Sequence, residues 1–538
     1  MTTLALRHPA EPLAGTRPTT RFVLRRNRIR LVVWWVALVG LFGFVAAYYA
    51  SILATQQALD DFAALSDTPS IRALTGLAAA PGTLGGAVWT KIWMTCALAL
   101  ALGVVFLVTR NGRADEELGR TELLRSRVLG LHASSAASWL VTAGLCVAVG
   151  AGIAVVSAAG GLDPAGAGIT GSLIVGASVT GVGLVAVGVG AVAGQVASTS
   201  RGANALGTIV LAACYLLRMV GDLGDGTLTW VSPIGWGQEM QPWGANRWWP
   251  FGLLVLLTAV LLAVAVTLEG RRDLGAGLLR GRPGPAEAPA RYASPLGLAL
   301  RLQRGPILGW TVGIVVWAGF LGSVVDAMRT LLADAGSPVA ALLRGSGMPA
   351  LLSLLVGMIA LVTAVFAIQS AISLRADEAS GLLERQLAGA VPRIRWAVER
   401  LLISAVGSAV LLLAGGALLG ASRAGTDPAQ VRVLALAALA YWPAIMVLVS
   451  VAVALFGWLP GPAIPLSWGV LAATAILMVA GDALHLPAWL LGLLPFSATP
   501  YQPAEPLTWT PLIVMTLVAA ALTTAGLGRF ARRDLRPD

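Results

Sequence analysis

Lysine occurs once in the 538 residues, at position 91, and histidine and cysteine occur three times each. Each scarcity excludes a chemistry. A phosphate-binding loop of the form Gly-x-x-x-x-Gly-Lys-Ser/Thr depends on its lysine. Lys91 lies between Thr90 and Ile92 without that glycine frame, so the chain is not a P-loop ATPase and any ATP energy must come from another polypeptide. His8, His132 and His485 are scattered with no ligand spacing, which argues against a metal site. Cys96, Cys146 and Cys214 each fall inside an apolar run, as small hydrophobes rather than a disulfide framework. Charged residues make up 12%, about half the usual quarter of soluble domains. Low charge with high hydropathy excludes both a water-soluble enzyme and a disordered chain.

What the chain has instead is apolar length. AVILMFWYC residues account for 57%, there are 63 glycines, and the mean hydropathy is +0.80. Runs long enough to cross a bilayer, which takes about 20 residues, lie at 31–53, 92–109, 135–159, 169–194, 204–221 and 248–268, then at 306–325, 349–373, 401–420, 433–456, 463–481 and 510–528. Unpaired backbone is costly in hydrocarbon and the alternation of a membrane barrel is absent, so these runs are expected to be helices. The expected fold is an all-α polytopic membrane protein with twelve transmembrane helices. The run after the Arg-rich start is too long for a signal core of about 7–15 residues and reads as an anchor.

The net charge of +11 is explained by topology. Of the 37 Arg and Lys residues, 29 fall on the side that holds both termini and the connections after even-numbered runs. The positive-inside rule makes that side cytoplasmic, and the basicity needs no nucleic-acid partner.

The chain repeats itself. Arg113-Ala-Asp-Glu116 recurs as Arg375-Ala-Asp-Glu378, and Glu122 as Glu384, at an offset of 262. Gly221-Asp222 recurs as Gly481-Asp482, Pro233 as Pro495, and Arg271-Arg-Asp-Leu274 as Arg532-Arg-Asp-Leu535. Four matches in order imply a tandem duplication of a six-helix unit, the halves related by a pseudo-two-fold along the membrane normal with a pathway between them. The expected organisation is a cytoplasmic tail with an amphipathic helix (1–30), a first six-helix half (31–268), a cytoplasmic linker with a second such helix (269–305), a second half (306–528) and a tail (529–538). Thr20–Arg30 and Leu296–Arg304 read as interfacial helices, or as arginines that only set topology.

Mechanism should lie in the connections after runs two and eight. Ala114, Leu118, Thr121, Leu124, Val128 and Leu131 form one helical stripe, as do Ala376, Ala379, Leu383, Leu387 and Ala390. The acidic pairs Asp115/Glu116 and Asp377/Glu378 stand at the helix starts, with arginines following. Two readings are open: helices lying on the membrane surface, or a pair of helices docking into a soluble partner. At the other side, Trp230, Trp236, Trp243, Trp248 and Trp249 surround Ser232-Pro233, and Pro495, Pro500, Pro503 and Pro506 mark the matching stretch. These read as broken, re-entrant connections or as an aromatic belt. Asp222 and Asp482, with Arg218 one turn below Asp222 and Tyr215 beside it, are candidates for a substrate pathway or outer gate.

Six helices per half, an amphipathic segment before the first, the Arg-Ala-Asp-Glu…Glu-Leu-Leu-Arg helix (Arg113 to Arg125) and the broken connection between the fifth and sixth resemble the permease subunits of type-2 ATP-binding-cassette exporters. The duplicated, Arg-over-Lys form is similar to actinobacterial permeases for polyketide-antibiotic (tetronasin-type) or multidrug export. This resemblance implies an exporter of amphiphilic small molecules, energised by two copies of a separate ATP-binding subunit. That subunit would bind the ATP and Mg, and this chain no cofactor. The coupling helices would map onto Arg113 to Gly130 and Arg375 to Pro392, with Arg113, Asp115, Glu116, Glu122, Arg125, Arg375, Asp377, Glu378, Glu384 and Arg385 as docking residues. The alternative is a proton-driven secondary transporter of the major-facilitator type. Against it, Asn111 stands where that family's motif requires glycine, and no carboxylate interrupts a run.

Overall fold

A computed structural model describes residues 11–535 apart from 68–71, 73–74, 126–128, 165, 167, 274, 280–286, 288, 290–291, 293, 334–346, 390, 425–427, 481–491 and 493. The chain divides into two compact units, 1–283 and 284–538.

The first unit contains α1 (Thr16–Ile52), α2 (Gln56–Ser66), α3 (Leu84–Val88), α4 (Met94–Asn111), α5 (Arg113–Glu117), α6 (Arg120–Arg125), α7 (Ala133–Ala159), α8 (Thr170–Val196), α9 (Ser200–Leu223), α10 (Pro233–Gln238) and α11 (Trp249–Arg271). A π-helical turn, Trp89–Trp93, joins α3 to α4 and stacks its two indoles 4.4 Å apart. The second unit contains α12 (Pro295–Ala333), α13 (Gly347–Ala379), α14 (Leu382–Leu387), α15 (Arg393–Ala424), α16 (Pro428–Leu439), α17 (Trp442–Trp458), α18 (Ala463–Ala480) and α19 (Trp509–Arg532).

Among the described residues eleven helical stretches are long and apolar enough to span a membrane. Six lie in the first unit and five in the second. The expected run 463–481 gives α18, which counts among the shorter apolar helices over Ala463–Met478; residues 481–491 lie outside the described residues.

Three expectations are revised. The basic segments before runs one and seven are not separate interfacial helices but the first turns of α1 and α12, which run on unbroken, α12 with Pro306 in its interior. The stripe over 114–131 is not one helix. Gly119 turns the chain with φ +68° between α5 and α6, and Gly381 does the same with φ +70° between α13 and α14, 262 residues on. Both are left-handed C-terminal caps, a conformation that side chains resist. Finally, run 433–456 is broken at Ala440-Tyr441, where Pro443 offers no N–H to the preceding turn.

Lipid tails are as apolar as leucine, so spans associate by close packing rather than by hydrophobic transfer. The Gly-rich run shows how. Helix α8 is the most buried span and packs against α4, α7, α9 and α11. A β-carbon on Gly150 of α7 would meet the Gly176 carbonyl oxygen of α8 at 2.3 Å, and one on Gly176 would meet that of Gly150 at 2.3 Å. In the second unit Gly457 and Gly526 bring α17 and α19 equally close, with 2.4 Å to the Gly526 oxygen.

Candidate functional site

Both repeated arginine motifs converge at one end of the first unit, the end where α4 stops and α9 begins. Arg113 is buried and donates to three backbone carbonyls, Ser198 (2.6 Å), Gly275 (2.7 Å) and Ala276 (2.9 Å), and to the Glu116 carboxylate (3.0 Å). Arg272, just past α11, grips both oxygens of Glu116, at 2.8 Å and 2.5 Å. Such fork-to-fork pairs are roughly twice as strong as neutral hydrogen bonds. Asp115 pairs with Arg26 of α1 (2.7 Å) and Arg120 (3.2 Å). Arg26 and Asn27 also donate to Asn111, at 2.7 Å and 3.0 Å. Glu117 accepts from the backbone N–H (2.7 Å) and hydroxyl (2.6 Å) of Ser200, at the start of α9, where the helix dipole favours a carboxylate.

The second unit builds the same clamp. Glu378 pairs with Arg375 at 3.5 Å and is held by Arg533 through both oxygens, at 2.5 Å and 2.8 Å. Arg533 also lies 5.0 Å from the Phe456 ring and 5.3 Å from that of Phe530. Asp377 pairs with Arg400 at 2.7 Å, and Gln303 of α12 meets Ser370 and Ser373 where α1 offered Asn27 to Asn111. Three-dimensional pairing thus joins the two motifs that the repeat had marked separately. Arg113, Asp115, Glu116, Arg375 and Glu378 are held within their own units. Glu122, Glu384 and Arg385 are exposed, as are Leu118, Leu123 and Leu382. The side chain of Arg125 lies outside the described residues.

A family model described as "Multidrug efflux system permease Rv1217c, C-terminal domain" matches residues 292–531. The multidrug efflux system permease protein Rv1217c of Mycobacterium tuberculosis (strain ATCC 25618 / H37Rv) is 35% identical over 538 residues, covering 98% of this chain and 97% of that protein. The chain belongs to this family of multidrug efflux permeases.

In this permease the other end of the first unit holds Arg218 and Asp222. Both are buried on α9 and pair at 2.9 Å. Asp222 also accepts from Thr229 (2.8 Å) and from Gln238 (3.1 Å and 3.2 Å). The Arg218 guanidinium lies 4.8 Å from the ring of Tyr215. Gln238 ends α10, which folds back against the middle of α8. There Ser178 donates to the Gly237 carbonyl at 2.8 Å and accepts from Trp93 at 2.9 Å. Asp482 lies outside the described residues.

Sequence reasoning missed several members of this network. Glu239 pairs with Arg247 at 3.2 Å; burial pushes its carboxyl above the usual range, Arg247 opposes that and the Asp222 charge adds to it. Trp243 is no belt residue. It is buried with φ +59° and donates to Asp163 at 3.0 Å. At the clamp end, Glu269 joins His132 (2.8 Å) and Ser135 (2.7 Å). For Arg272 and Arg533 a signal existed, the repeated Arg-Arg-Asp-Leu, but nothing in the chain named their partners. Among the described residues no three His, Cys, Asp or Glu side chains gather as metal ligands would.

Proposed function

We propose that the permease is the membrane-spanning subunit of an ATP-driven exporter, moving amphiphilic small molecules (antibiotic, drug or lipid-like) out of a bacterial cell. On this reading both termini are cytoplasmic and the halves 31–268 and 306–528 form a pseudo-two-fold conduit. Two copies of a separate ATP-binding-cassette subunit supply the ATP and Mg chemistry. The relative's printed name, a multidrug efflux system permease, supports export. The lone lysine outside any phosphate loop supports a separate ATPase.

The observation that carries the docking assignment is the division of labour along each repeat. Leu118 and Leu123 are 62% and 74% exposed beside the exposed Glu122, while the preceding Arg-Ala-Asp-Glu side chains are consumed inside the unit. Leu382, Glu384 and Arg385 repeat that exposure. Exposed α6 and α14 are therefore the proposed contacts, and the buried clamps their seats. Tyr215, Arg218, Asp222 and Asp482 are assigned to the outer gate, where the connected Asp222 network ties α9 to α10.

The test is co-purification with the ATP-binding subunit. Glu122→Arg with Glu384→Arg should abolish both the complex and transport-coupled hydrolysis; their persistence would refute the docking sites. Uphill solute movement by the isolated chain in vesicles would refute the ATP-driven reading and favour a secondary transporter.

A further inference from the structure

Arg30 immediately precedes the apolar run 31–53, and Arg110 immediately follows the run 92–109. With α1 and α4 spanning a bilayer, both guanidiniums therefore stand at the level of the lipid headgroups. The two helices meet there. Arg26 of α1 donates to Asn111 of α4 at 2.7 Å, and a β-carbon on Gly103 of α4 would lie 2.7 Å from the Trp34 ring of α1. Arg30 is four residues from both Arg26 and Trp34, which puts it on the same side of α1 as those two contacts. Arg30 and Arg110 are both exposed.

The charges gathered here do not balance. Those acting on Arg110 are Arg26, Arg30 and Arg120, all like its own, and the carboxylate of Asp115. Asp115 is already bonded to two of the arginines, Arg26 at 2.7 Å and Arg120 at 3.2 Å. Among the described residues no carboxylate pairs with Arg30 or Arg110. Like charges held together beside an apolar phase repel one another, and an anion placed between them relieves the repulsion. That attraction acts through charge over distance and does not depend on one hydrogen-bond geometry. One turn into the apolar runs, Val33 and Phe106 are 58% and 45% exposed. Apolar surface thus lies directly beneath a basic pair.

An anionic phospholipid matches both halves of this surface, its phosphate at the arginines and its acyl chains on the apolar side chains. A soluble phosphate would use only the upper half, and a zwitterionic headgroup carries a cation of its own that the arginines repel. We propose that Arg30 and Arg110 bind the phosphate of an anionic phospholipid whose acyl chains lie against Val33 and Phe106. Setting topology calls for basic residues but for no such pairing across two helices, and the second unit has none. There Gln303 meets Ser373 as Asn27 meets Asn111. That register puts Leu302, Pro306 and Ile372 in the places of Arg26, Arg30 and Arg110. The lipid site is therefore a feature of the first unit.

The test is native mass spectrometry of the full-length chain in detergent, titrated separately with dioleoylphosphatidylglycerol and dioleoylphosphatidylcholine to obtain the affinity of the first lipid bound. An arginine beside an anionic headgroup is worth about fivefold, so the phosphatidylglycerol should bind about twentyfold more tightly than the phosphatidylcholine. Arg30→Gln and Arg110→Gln, both at exposed positions outside the clamp, should each weaken phosphatidylglycerol about fivefold and leave phosphatidylcholine unchanged. Arg30→Lys with Arg110→Lys keeps the charge and should keep most of the preference. Arg17→Gln with Arg21→Gln, exposed elsewhere on α1, should keep all of it. Equal affinity for the two lipids in the unaltered chain would overturn the proposal, and so would a preference that survives Arg30→Gln with Arg110→Gln. Displacement of phosphatidylglycerol by millimolar glycerol phosphate would overturn it too, by assigning the arginines to a soluble phosphate. None of these outcomes bears on the ATPase co-purification, so the transport reading stands or falls separately.

Discussion

Glu116 and Arg272 are 156 residues apart in the chain and meet through two parallel hydrogen bonds, their side chains 8% and 5% exposed. Glu378 and Arg533 repeat the pairing at a separation of 155. The clamp fastens the segment leaving the second span to the end of the sixth.

Arg272→Ala should destabilise the protein by about 3–5 kcal/mol, because it strands a buried carboxylate. Arg272→Lys should restore only part of this, since an ammonium cannot span both oxygens. Replacing Glu116 and Arg272 together by leucine and methionine should cost less than Arg272→Ala alone, as paired charges removed jointly leave no orphan. Thermal unfolding in detergent measures all three.

At the opposite end Asp222 carries four hydrogen bonds, from Arg218, Thr229 and Gln238. Asp222→Leu leaves the Arg218 charge buried among fewer acceptors and should cost about 3–5 kcal/mol. Adding Arg218→Met should recover a measurable part of that loss in the same unfolding assay.

A β-carbon on Gly150 would lie 2.0 Å from the Thr180 hydroxyl and 2.3 Å from the Gly176 carbonyl oxygen. Gly150→Ala should therefore push α7 from α8 and cost about 1–3 kcal/mol. Gly144 on the same helix has nothing within 4 Å of such a carbon. Gly144→Ala should be neutral or stabilising by up to about 1 kcal/mol, the helix preference of alanine over glycine.

Glu239 gives a pH signature. Its carboxyl is raised above the ordinary value, chiefly by burial, so between those two values the folded chain holds a proton that the unfolded chain has released. Stability contributed by this group is fully present below the ordinary glutamate range and falls as pH rises through the raised one. Glu239→Gln should flatten that slope in unfolding measured across the acidic range.

Much of the architecture was legible because a bilayer demands long apolar helices. The runs at 135–159, 169–194 and 248–268 became α7, α8 and α11 with ends shifted by a few residues. Local stops were harder to read. Gly119 sits within a stripe that continues past it, and only its positive φ shows that the helix ends there. The exposed Glu122 and Glu384 are marked by their place in the repeat, whereas Arg385 stands where the first copy has Leu123. Their neighbours Arg113 and Asp115 look equally charged in sequence but are buried.

By itself the sequence determined what periodicity and spacing can encode: many long apolar helices, a set of repeated motifs and no phosphate loop. The tertiary structure alone decided which arginine each glutamate holds, that Trp243 is buried in the first unit, and that the tenth run breaks at Ala440-Tyr441. Those outcomes depend on contacts between residues up to 156 apart in the chain. Composition and spacing carry no record of such distances; packing decides them, because a buried charge must find its partner wherever the fold brings one near.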